Sequence, residues 1–307
     1  MSDAKSGSPL VLVTGGTGFV GSRVALRLIA TGFRVRAIVR AKGTAPELQD
    51  PGIEEIEGDF ARPEVAGPAA KGADAVVHCA ATSGPDLEPV RQVNVEGTRA
   101  MIGASLAAGV RRYVHISTIS VYARVPEERL DEASPLKEEG EPYGWTKADA
   151  DRIVFEGMRR GLPATILRPG AILGVHRTST WGVKMPARIR DQQIKLRGDG
   201  REILPWVHVE NLVDAVLLSL ENDQGVGRAY NVADKDVSWR DYTDEVRGWF
   251  GTLPLESIPL SEFGDYWMGR FEASRIRSEL AYEPRRSYAE GMAEAAEYWA
   301  REGAGQT

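Results

Sequence analysis

The stretch Thr14-Gly15-Gly16-Thr17-Gly18-Phe19-Val20-Gly21 decides the fold predicted for this chain. Residues 9–13 before it are apolar and partly β-branched, as a buried parallel strand requires. After it, apolar residues recur at the spacing of one helix face: Val24, Ala25, Leu28 and Ile29. In this strand–turn–helix context Gly15 permits the tight turn, Gly18 lets the backbone approach a pyrophosphate, and Gly21 lets the helix pack closely. The stretch therefore predicts a dinucleotide site.

A basic residue ends the second predicted strand, residues 35–39, at Arg40. NAD enzymes usually carry an acidic residue there, which binds the ribose 2′-hydroxyl. A guanidinium can instead pair with a 2′-phosphate through its planar fork of donors. Arg40 therefore favours NADP, with an ordinary exposed arginine as the structural alternative.

Tyr143 and Lys147 lie four residues apart in a helix predicted to begin after Pro142. This spacing places both side chains on one helix face. A free tyrosine has a pKa of about 10, so a phenol that exchanges protons near neutrality needs a pKa lower by about 3 units. A nearby ammonium favours the phenolate and lowers that pKa. Together with a dinucleotide site, this pair predicts carbonyl–alcohol redox chemistry.

These segments and the ordered matches between them resemble the extended short-chain dehydrogenases/reductases. That family includes nucleotide-sugar epimerases and dihydroflavonol-reductase-like enzymes. Further matching segments cover nearly the whole chain and lie at residues 58–60, 74–81, 94–98, 115–122, 168–170 and 206–212. The resemblance is specific for the family but does not specify a substrate.

The resemblance implies a catalytic set of Thr118, Tyr143 and Lys147, with Asn94 holding a water in a proton relay. Thr118 is chosen by alignment on Val121-Tyr122, and Asp59 would contact the adenine. The cofactor-binding residues that it implies are Gly15, Thr17, Gly18, Phe19, Val20, Arg40, Asp59, Phe60, Cys79, Ala80, Ala81, Tyr143, Lys147 and Pro169. Cys79 is expected to pack under the cofactor and not to act as a nucleophile, because no paired base accompanies it.

The predicted substrate contacts are Thr82, Ser83, Thr118, Tyr143, His176, Trp181, Leu204 and Trp206. Nucleotide-sugar members of the family commonly place an arginine two residues before the aromatic residue at Trp206, where it grips the substrate diphosphate. Here that residue is Leu204, and residues 203–206 are apolar throughout. A diphosphate needs charge-assisted donors, so this stretch favours a largely apolar carbonyl compound. Compensating cations remain open: Arg201, Arg275 and Arg277.

Strands that alternate with helices predict an α/β fold with a doubly wound parallel (Rossmann) sheet. The family resemblance implies a small C-terminal substrate lobe in addition. The predicted strands are residues 10–13, 35–39, 53–57, 75–78, 113–116, 164–167 and 229–232. The dinucleotide-binding domain is expected at residues 9–173, with a return strand near 229–232. Residues 174–307 are expected to form mainly the substrate lobe, and residues 1–8 a disordered tail.

Composition excludes several function classes. The 307 residues carry a formal net charge of −6 without a basic cluster, which argues against nucleic-acid binding. The single cysteine fits a reducing cytoplasm, and no apolar run predicts a membrane span. The four histidines are dispersed, so no metal site is predicted. The family resemblance implies a homodimer through the helices after Asn94 and Tyr143. Their apolar residues exceed what one sheet face requires: Met101, Ile102, Leu106, Ile153, Val154 and Met158.

Three functions are compatible with these features. The first is an NADP-dependent reductase or dehydrogenase of a small, largely apolar substrate, with Tyr143 as proton donor or acceptor. The second is a nucleotide-sugar epimerase or dehydratase that retains NAD and uses the same residues. The third is a catalytically silent cofactor sensor, against which the intact Thr118, Tyr143 and Lys147 set argues.

Overall fold

The computed structural model describes residues 7–123, 129–251, 253–262 and 269–304. Its strands are β1 (Leu10–Thr14), β2 (Arg34–Val39), β3 (Ile53–Glu57), β4 (Ala75–His78), β5 (Arg112–Ile116), β6 (Arg129–Leu130), β7 (Ala164–Pro169), β8 (Ala171–Leu173), β9 (Leu196–Arg197), β10 (Ile203–His208), β11 (Arg228–Val232), β12 (Lys235–Ser238), β13 (Ser257–Ile258) and β14 (Arg270–Phe271). Its helices are α1 (Phe19–Ala30), α2 (Pro63–Ala70), α3 (Leu87–Arg91), α4 (Gly97–Ala108), α5 (Pro142–Arg159), α6 (Met185–Arg190), α7 (Val209–Glu221), α8 (Trp239–Gly248), α9 (Arg275–Leu280) and α10 (Tyr288–Ala304).

The main sheet has seven parallel strands in the order β11-β7-β5-β4-β1-β2-β3. Alternate side chains of a strand face opposite layers. Leu12 accordingly packs with α2, α4 and α5, whereas Val11 and Val13 pack with α1 and α7. The predicted doubly wound sheet is thereby confirmed, and all seven predicted strands belong to it.

The order of the strands fixes where a ligand binds. The chain leaves β1 toward β2 on one side and enters β4 on the other, so β1 and β4 flank the point where the winding reverses. Ligands of open parallel sheets bind in the crevice at the carboxyl ends of the strands around this point. The loops after β1, β4, β5 and β7 all lie at that edge, because the strands are parallel.

A second, three-stranded sheet follows in the order β12-β10-β8. β10 pairs in parallel with β8 and antiparallel with β12, which places Trp206 opposite Ala171 and Leu204 opposite Val237. A separate apolar core forms around it from residues of β8, β10, α6, α8 and α10. The domain division at residue 173 stays a prediction, and residues 1–6 of the predicted tail lie outside the described part of the chain.

Most of the apolar residues expected at a dimer interface are used inside the subunit. Met101, Ile102, Ile153 and Val154 are buried in the core between α4, α5 and the main sheet. The reasoning that these four exceed what one sheet face requires is therefore wrong, although Leu106 and Met158 are only partly covered. The homodimer itself stays a prediction. Within the described residues, no helix is both long and apolar enough to span a membrane.

Candidate active site

The glycine-rich loop forms a backbone cradle at the carboxyl end of β1. Gly15 has φ +68°, and a Cβ atom there would lie 2.7 Å from the Ala80 nitrogen. A Cβ atom on Gly21 would lie 2.2 Å from the Gly15 carbonyl oxygen, so Gly21 lets α1 pack on the turn itself. Gly18 caps α1 without a side-chain hydrogen bond, so apart from the Phe19 amide, which donates to Thr178, the first turn can present backbone amides to an anion. The loop fits a dinucleotide pyrophosphate.

A segment after β8 reaches across to this loop. The Phe19 amide donates to the Thr178 hydroxyl at 3.2 Å, and the Arg177 guanidinium donates to the Thr17 carbonyl at 3.2 Å. The Nε2 atom of His176 and the Nε atom of Arg177 each lie 3.0 Å from Glu47 Oε1. His176 also stacks on Phe19, with ring centroids 5.8 Å apart. His176 thus lies against the glycine loop, which does not favour its predicted contact with substrate.

The residues predicted around the adenosine divide into free and packed side chains. Arg40 is exposed directly after β2 and makes no ion pair with any described residue. Asp59 is exposed and accepts the Ala61 amide at 2.9 Å. Phe60 packs edge-on against His78 and covers Gly97, where a Cβ atom would lie 2.3 Å from its ring. Arg40 is therefore available to a phosphate, whereas Phe60 has a packing role.

The loop after β4 is tied to the end of β1. The Thr14 hydroxyl lies 2.7 Å from His78 Nδ1 and accepts the Ala80 amide at 3.3 Å. Burial raises the pKa of the Cys79 thiol to about 12, so the thiol stays protonated and is a poor nucleophile. Among the next residues, Ala81 and Ser83 are exposed at the crevice edge.

Asn94 joins this loop to the helix that carries Tyr143. Its side chain is 1% exposed, accepts the Thr82 amide at 2.9 Å and donates to the Thr82 carbonyl at 2.9 Å. Its amide also donates to the Thr146 hydroxyl at 3.0 Å. Both amide donors are thereby used. Asn94 therefore links the loop after β4 to α5 through hydrogen bonds to Thr82 and Thr146. Its predicted role in holding a water stays a prediction.

Tyr143 lies in the first turn of α5. Pro142 begins the helix, and the Glu141 carboxylate caps it by accepting the Gly144 amide at 2.9 Å. The phenol is half-buried, and burial raises its pKa, while a hydrogen bond with Thr118 opposes the rise. The Thr118 hydroxyl itself accepts the Ser120 amide at 3.1 Å. The two predicted partners, Thr118 and Tyr143, are thus brought together, with the phenol protonated at neutral pH.

Lys147 is directed at β5. Its ammonium donates to the Ile116 carbonyl at 2.8 Å and lies 3.2 Å from His115 Nε2. Burial lowers the Lys147 pKa to about 8, and the Asp151 carboxylate opposes that shift. Burial raises the pKa of Tyr143, which is opposite to the lowered value that the Tyr143–Lys147 spacing predicts, and the Lys147 ammonium contacts strand atoms.

A buried polar network that sequence reasoning missed lies behind Lys147. Asp151, one turn further along α5, accepts the Arg168 Nε at 2.8 Å, and its other oxygen is 3.6 Å from His115 Nε2. Arg168 also donates to the Tyr122 hydroxyl at 2.9 Å, and both side chains are fully buried. The four-residue spacing that joins Tyr143 to Lys147 also places Asp151 on the same face, which is the signal in the sequence.

Residues 203–206, the predicted apolar substrate strip on β10, are only partly exposed. Trp206 is 1% exposed and packs against Trp181 and Tyr242 in the core of the second sheet. Its side chain faces that core, which does not favour its predicted contact with substrate. Leu204 precedes Trp206 by two residues, so it lies on the same face of β10, and both Leu204 and Trp181 are half-buried against this cluster. Their predicted contacts with substrate stay predictions.

The β10 strip lies close to the end of β7. A Cβ atom on Gly170 would lie 2.2 Å from the Pro205 carbonyl oxygen, so only glycine permits this approach. Pro169, the last residue of β7, is buried directly before it. The apolar strip is thereby held next to the carboxyl ends of the main strands, where the crevice lies.

The cations that sequence reasoning left open as diphosphate partners are engaged elsewhere. Arg201 pairs with Asp199 at 2.5 Å, and Arg275 pairs with Glu279 at 2.9 Å. Arg277 donates to the Ala233 carbonyl at 3.4 Å and lies over the Tyr282 ring. These contacts weaken the case for a compensating arginine. The described residues also contain no group of three or more histidine, cysteine or acidic residues that could hold a metal ion.

Comparisons with known proteins agree with this geometry. A profile of the NAD dependent epimerase/dehydratase family matches residues 11–233. The chain is 28% identical to the 4-hydroxy-2-methyl-3-oxo-4-farnesyl-3,4-dihydroquinoline-1-oxide ketoreductase of Stigmatella aurantiaca, over 91% of this chain and 93% of that protein. It is 35% identical to the 2-alkyl-3-oxoalkanoate reductase of Stenotrophomonas maltophilia, over 69% of this chain and 65% of that protein.

Solved structures show the same fold. The dTDP-glucose 4,6-dehydratase DesIV of Streptomyces venezuelae, crystallised with NAD and TYD bound, superposes with a TM-score of 0.82 at 26% identity. The match covers 97% of this chain and 98% of DesIV. With the glycine cradle and the Thr118–Tyr143–Lys147 arrangement, these matches establish the class of the protein. The chain belongs to the NAD-dependent epimerase/dehydratase family of extended short-chain dehydrogenases/reductases and is an NAD(P)-dependent enzyme of that family.

Proposed function

We propose that the protein is an NADP-dependent reductase of a carbonyl group on a small, largely apolar molecule. The observation that carries the proposal is apolar, half-buried Leu204, where a diphosphate-binding arginine is expected in nucleotide-sugar enzymes. We propose that its exposed part and Trp181 form an apolar wall of the substrate pocket. The nearby arginines are paired with acidic side chains or a backbone carbonyl, which supports the same conclusion. Two relatives are named for the reduction of oxo groups on alkyl- or farnesyl-bearing compounds.

The chemistry follows from the protonation states of the site. The bound nicotinamide supplies the hydride for the carbonyl carbon. Tyr143 is protonated at neutral pH and gives its proton to the carbonyl oxygen. Thr118 contacts the phenol and is placed to orient that oxygen, and the Lys147 ammonium binds and orients the cofactor. Asn94 keeps the loop after β4 in register with the Tyr143 helix.

The preference for NADP rests on Arg40. Its guanidinium is exposed after β2 and is not paired with a described acidic residue, so a 2′-phosphate can take both of its parallel donors. DesIV, in contrast, is described with NAD bound. The proposed preference for NADP therefore depends on Arg40, the residue that follows β2 in this chain.

Two further proposals concern the setting of the enzyme. We propose a homodimer formed on the faces of α4 and α5, where Leu106, Phe155 and Met158 remain partly uncovered. Light scattering at micromolar concentration tests it, and a monomer mass counts against it.

The single cysteine, half-buried Cys79, supports a cytoplasmic location.

The second candidate function is a nucleotide-sugar dehydratase or epimerase, favoured by the full-length similarity to DesIV. A pair of variants separates the two. Leu204→Arg restores the cation, and Leu204→Met keeps an apolar side chain of similar volume. We expect kcat/KM for a hydrophobic ketone to fall at least tenfold in the arginine variant, because an unpaired charge beside an apolar ligand costs several kcal/mol. Leu204→Met should stay within a few-fold of the parent, and equal losses in both variants would reject the apolar wall.

A further inference from the structure

We propose that His115 is a positioning residue for Lys147: its unprotonated Nε2 accepts a hydrogen bond from the Lys147 ammonium and leaves one oriented N–H for the bound cofactor. The inference rests on the proposed function, in which Lys147 binds that cofactor. It assigns a task to a histidine on a central strand that lies behind the catalytic side chains.

The donor count of Lys147 supports this assignment. An ammonium has three N–H donors. One points to the Ile116 carbonyl at 2.8 Å, and His115 Nε2 lies 3.2 Å from the same nitrogen. Both acceptors belong to β5, which is hydrogen-bonded to β4 and β7 on its two sides. Two contacts to a rigid central strand fix the nitrogen, so the direction of the third N–H is fixed as well.

The tautomer of His115 follows from its surroundings. The ring is fully buried, and burial lowers its pKa well below the usual range, so the imidazole is neutral. A neutral ring that accepts at Nε2 carries its proton on Nδ1. Nδ1 has no hydrogen-bond partner among the described residues. A buried polar atom without a hydrogen-bond partner costs free energy. The ring of His115 therefore leaves Nδ1 unpaired while Nε2 contacts Lys147, and we attribute this orientation to the contact with Lys147.

Neighbouring groups hold the ring in place. His78 stacks on it with ring centroids 5.4 Å apart, and His78 is itself held by the Thr14 and Thr98 hydroxyls. Asp151 Oδ1 lies 3.6 Å from His115 Nε2, beyond hydrogen-bond distance, and keeps a negative charge beside Lys147. The titratable and charged groups around Lys147 are His78 at the end of β4, Cys79 directly after it, His115 on β5, Tyr143 and Asp151 on α5, and Arg168 on β7.

Three substitutions distinguish a His115 that accepts a hydrogen bond at Nε2 from a His115 that only fills space in the core. His115→Gln can place a carbonyl oxygen where Nε2 lies. His115→Asn reaches only to the position of Nδ1, and His115→Phe keeps a ring without an acceptor. If His115 acts through Nε2, only the glutamine variant retains the function. A structural role alone would favour the phenylalanine variant, because its ring best preserves the packing on His78.

The direct measurement is the titration of Lys147 in protein that carries ¹³C at lysine Cε, with the signal assigned by its loss in Lys147→Met. In the parent we expect the lysine to titrate with a pKa of about 8. His115→Phe and His115→Asn should lower that value by about 1 unit, because a hydrogen bond to the charged form is lost. His115→Gln should restore it. Equal values in the parent and all three variants would overturn the proposal.

Two further readouts complete the test. Long-range ¹⁵N–¹H spectra should show the Nδ1-protonated tautomer of His115 at neutral pH, and protonation at Nε2 would contradict the proposal. NADPH affinity, measured by calorimetry without turnover, should fall with rising pH at a midpoint that shifts with the Lys147 pKa in each variant. If the parent binds no NADPH, the proposed function fails, whereas the lysine titration and the tautomer still decide the role of His115.

Discussion

Raising the pH through the titration of Lys147 should stabilise the folded protein. The side chain is 1% exposed, and burial lowers its pKa from an ordinary 10.5 to about 8. Between these values the unfolded chain binds the lysine proton and the folded chain does not. The free energy of unfolding therefore rises with pH over this interval, and the stabilisation is lost as the pH falls through the folded-state pKa.

The expected size follows from the same values. One pKa unit corresponds to about 1.4 kcal/mol of differential stability. Between about pH 8 and pH 9.5, Lys147 should therefore add about 2 kcal/mol to the free energy of unfolding. Below about pH 7 its contribution should be constant, because both states then bind the proton.

Urea unfolding at stepped pH measures this effect, with Lys147→Met as the control. Cys79 titrates with the opposite sign, because burial raises the pKa of its thiol to about 12. The free energy of unfolding therefore falls with rising pH as the thiol ionises in the unfolded chain. Both proteins should carry Cys79→Ala, which removes this effect. The parent should gain stability relative to Lys147→Met as the pH rises. Identical pH slopes in the two proteins would refute the buried, cationic Lys147 on which the site description depends.

Three other substitutions test separate parts of the site. Tyr143→Phe should reduce kcat by about 10²–10⁴-fold while NADPH still binds, and near-normal turnover would exclude the phenol as the proton donor. Arg40→Asp should reverse or abolish the preference for NADPH over NADH, measured as the ratio of the two kcat/KM values; equal affinity of the parent for both cofactors would already contradict the role of Arg40. Asp151→Ala should cost about 3–5 kcal/mol in urea unfolding, because it leaves the buried Arg168 guanidinium without its carboxylate, and a loss below about 1 kcal/mol would show that the pair is not a buried ion pair in solution.

The sheet could be predicted because buried parallel strands consist of short apolar runs. Leu10–Thr14 and Ala75–His78 are such runs, and their apolar residues are buried on both faces. The glycine turn was predictable for a steric reason, since Gly15 has a positive φ and Gly21 has no room for a Cβ atom. These properties depend on neighbours in the sequence or on hydrophobicity alone.

Other features depend on contacts between distant segments, which one sequence does not encode locally. His176 and Thr178 contact Glu47 and the glycine loop, 129 and 159 residues away along the chain. The sequence predicts a substrate contact for Trp206, but the pairing of β10 with β8 and β12 turns its side chain into a separate core. The contact between His115 and Lys147 joins residues of different elements, and only the structure shows it.

The central claim is that this site reduces an apolar carbonyl and does not process a nucleotide sugar. The most direct measurement supplies the purified protein with NADPH and a 2-alkyl-3-oxo ester, and in parallel with dTDP-glucose or UDP-glucose, while NADPH and products are quantified. The account predicts one alcohol formed per NADPH consumed with the oxo ester, and neither tight binding nor conversion of the sugar nucleotides. Conversion of a sugar nucleotide by protein that retains its dinucleotide, with no net consumption of NADPH, would contradict it.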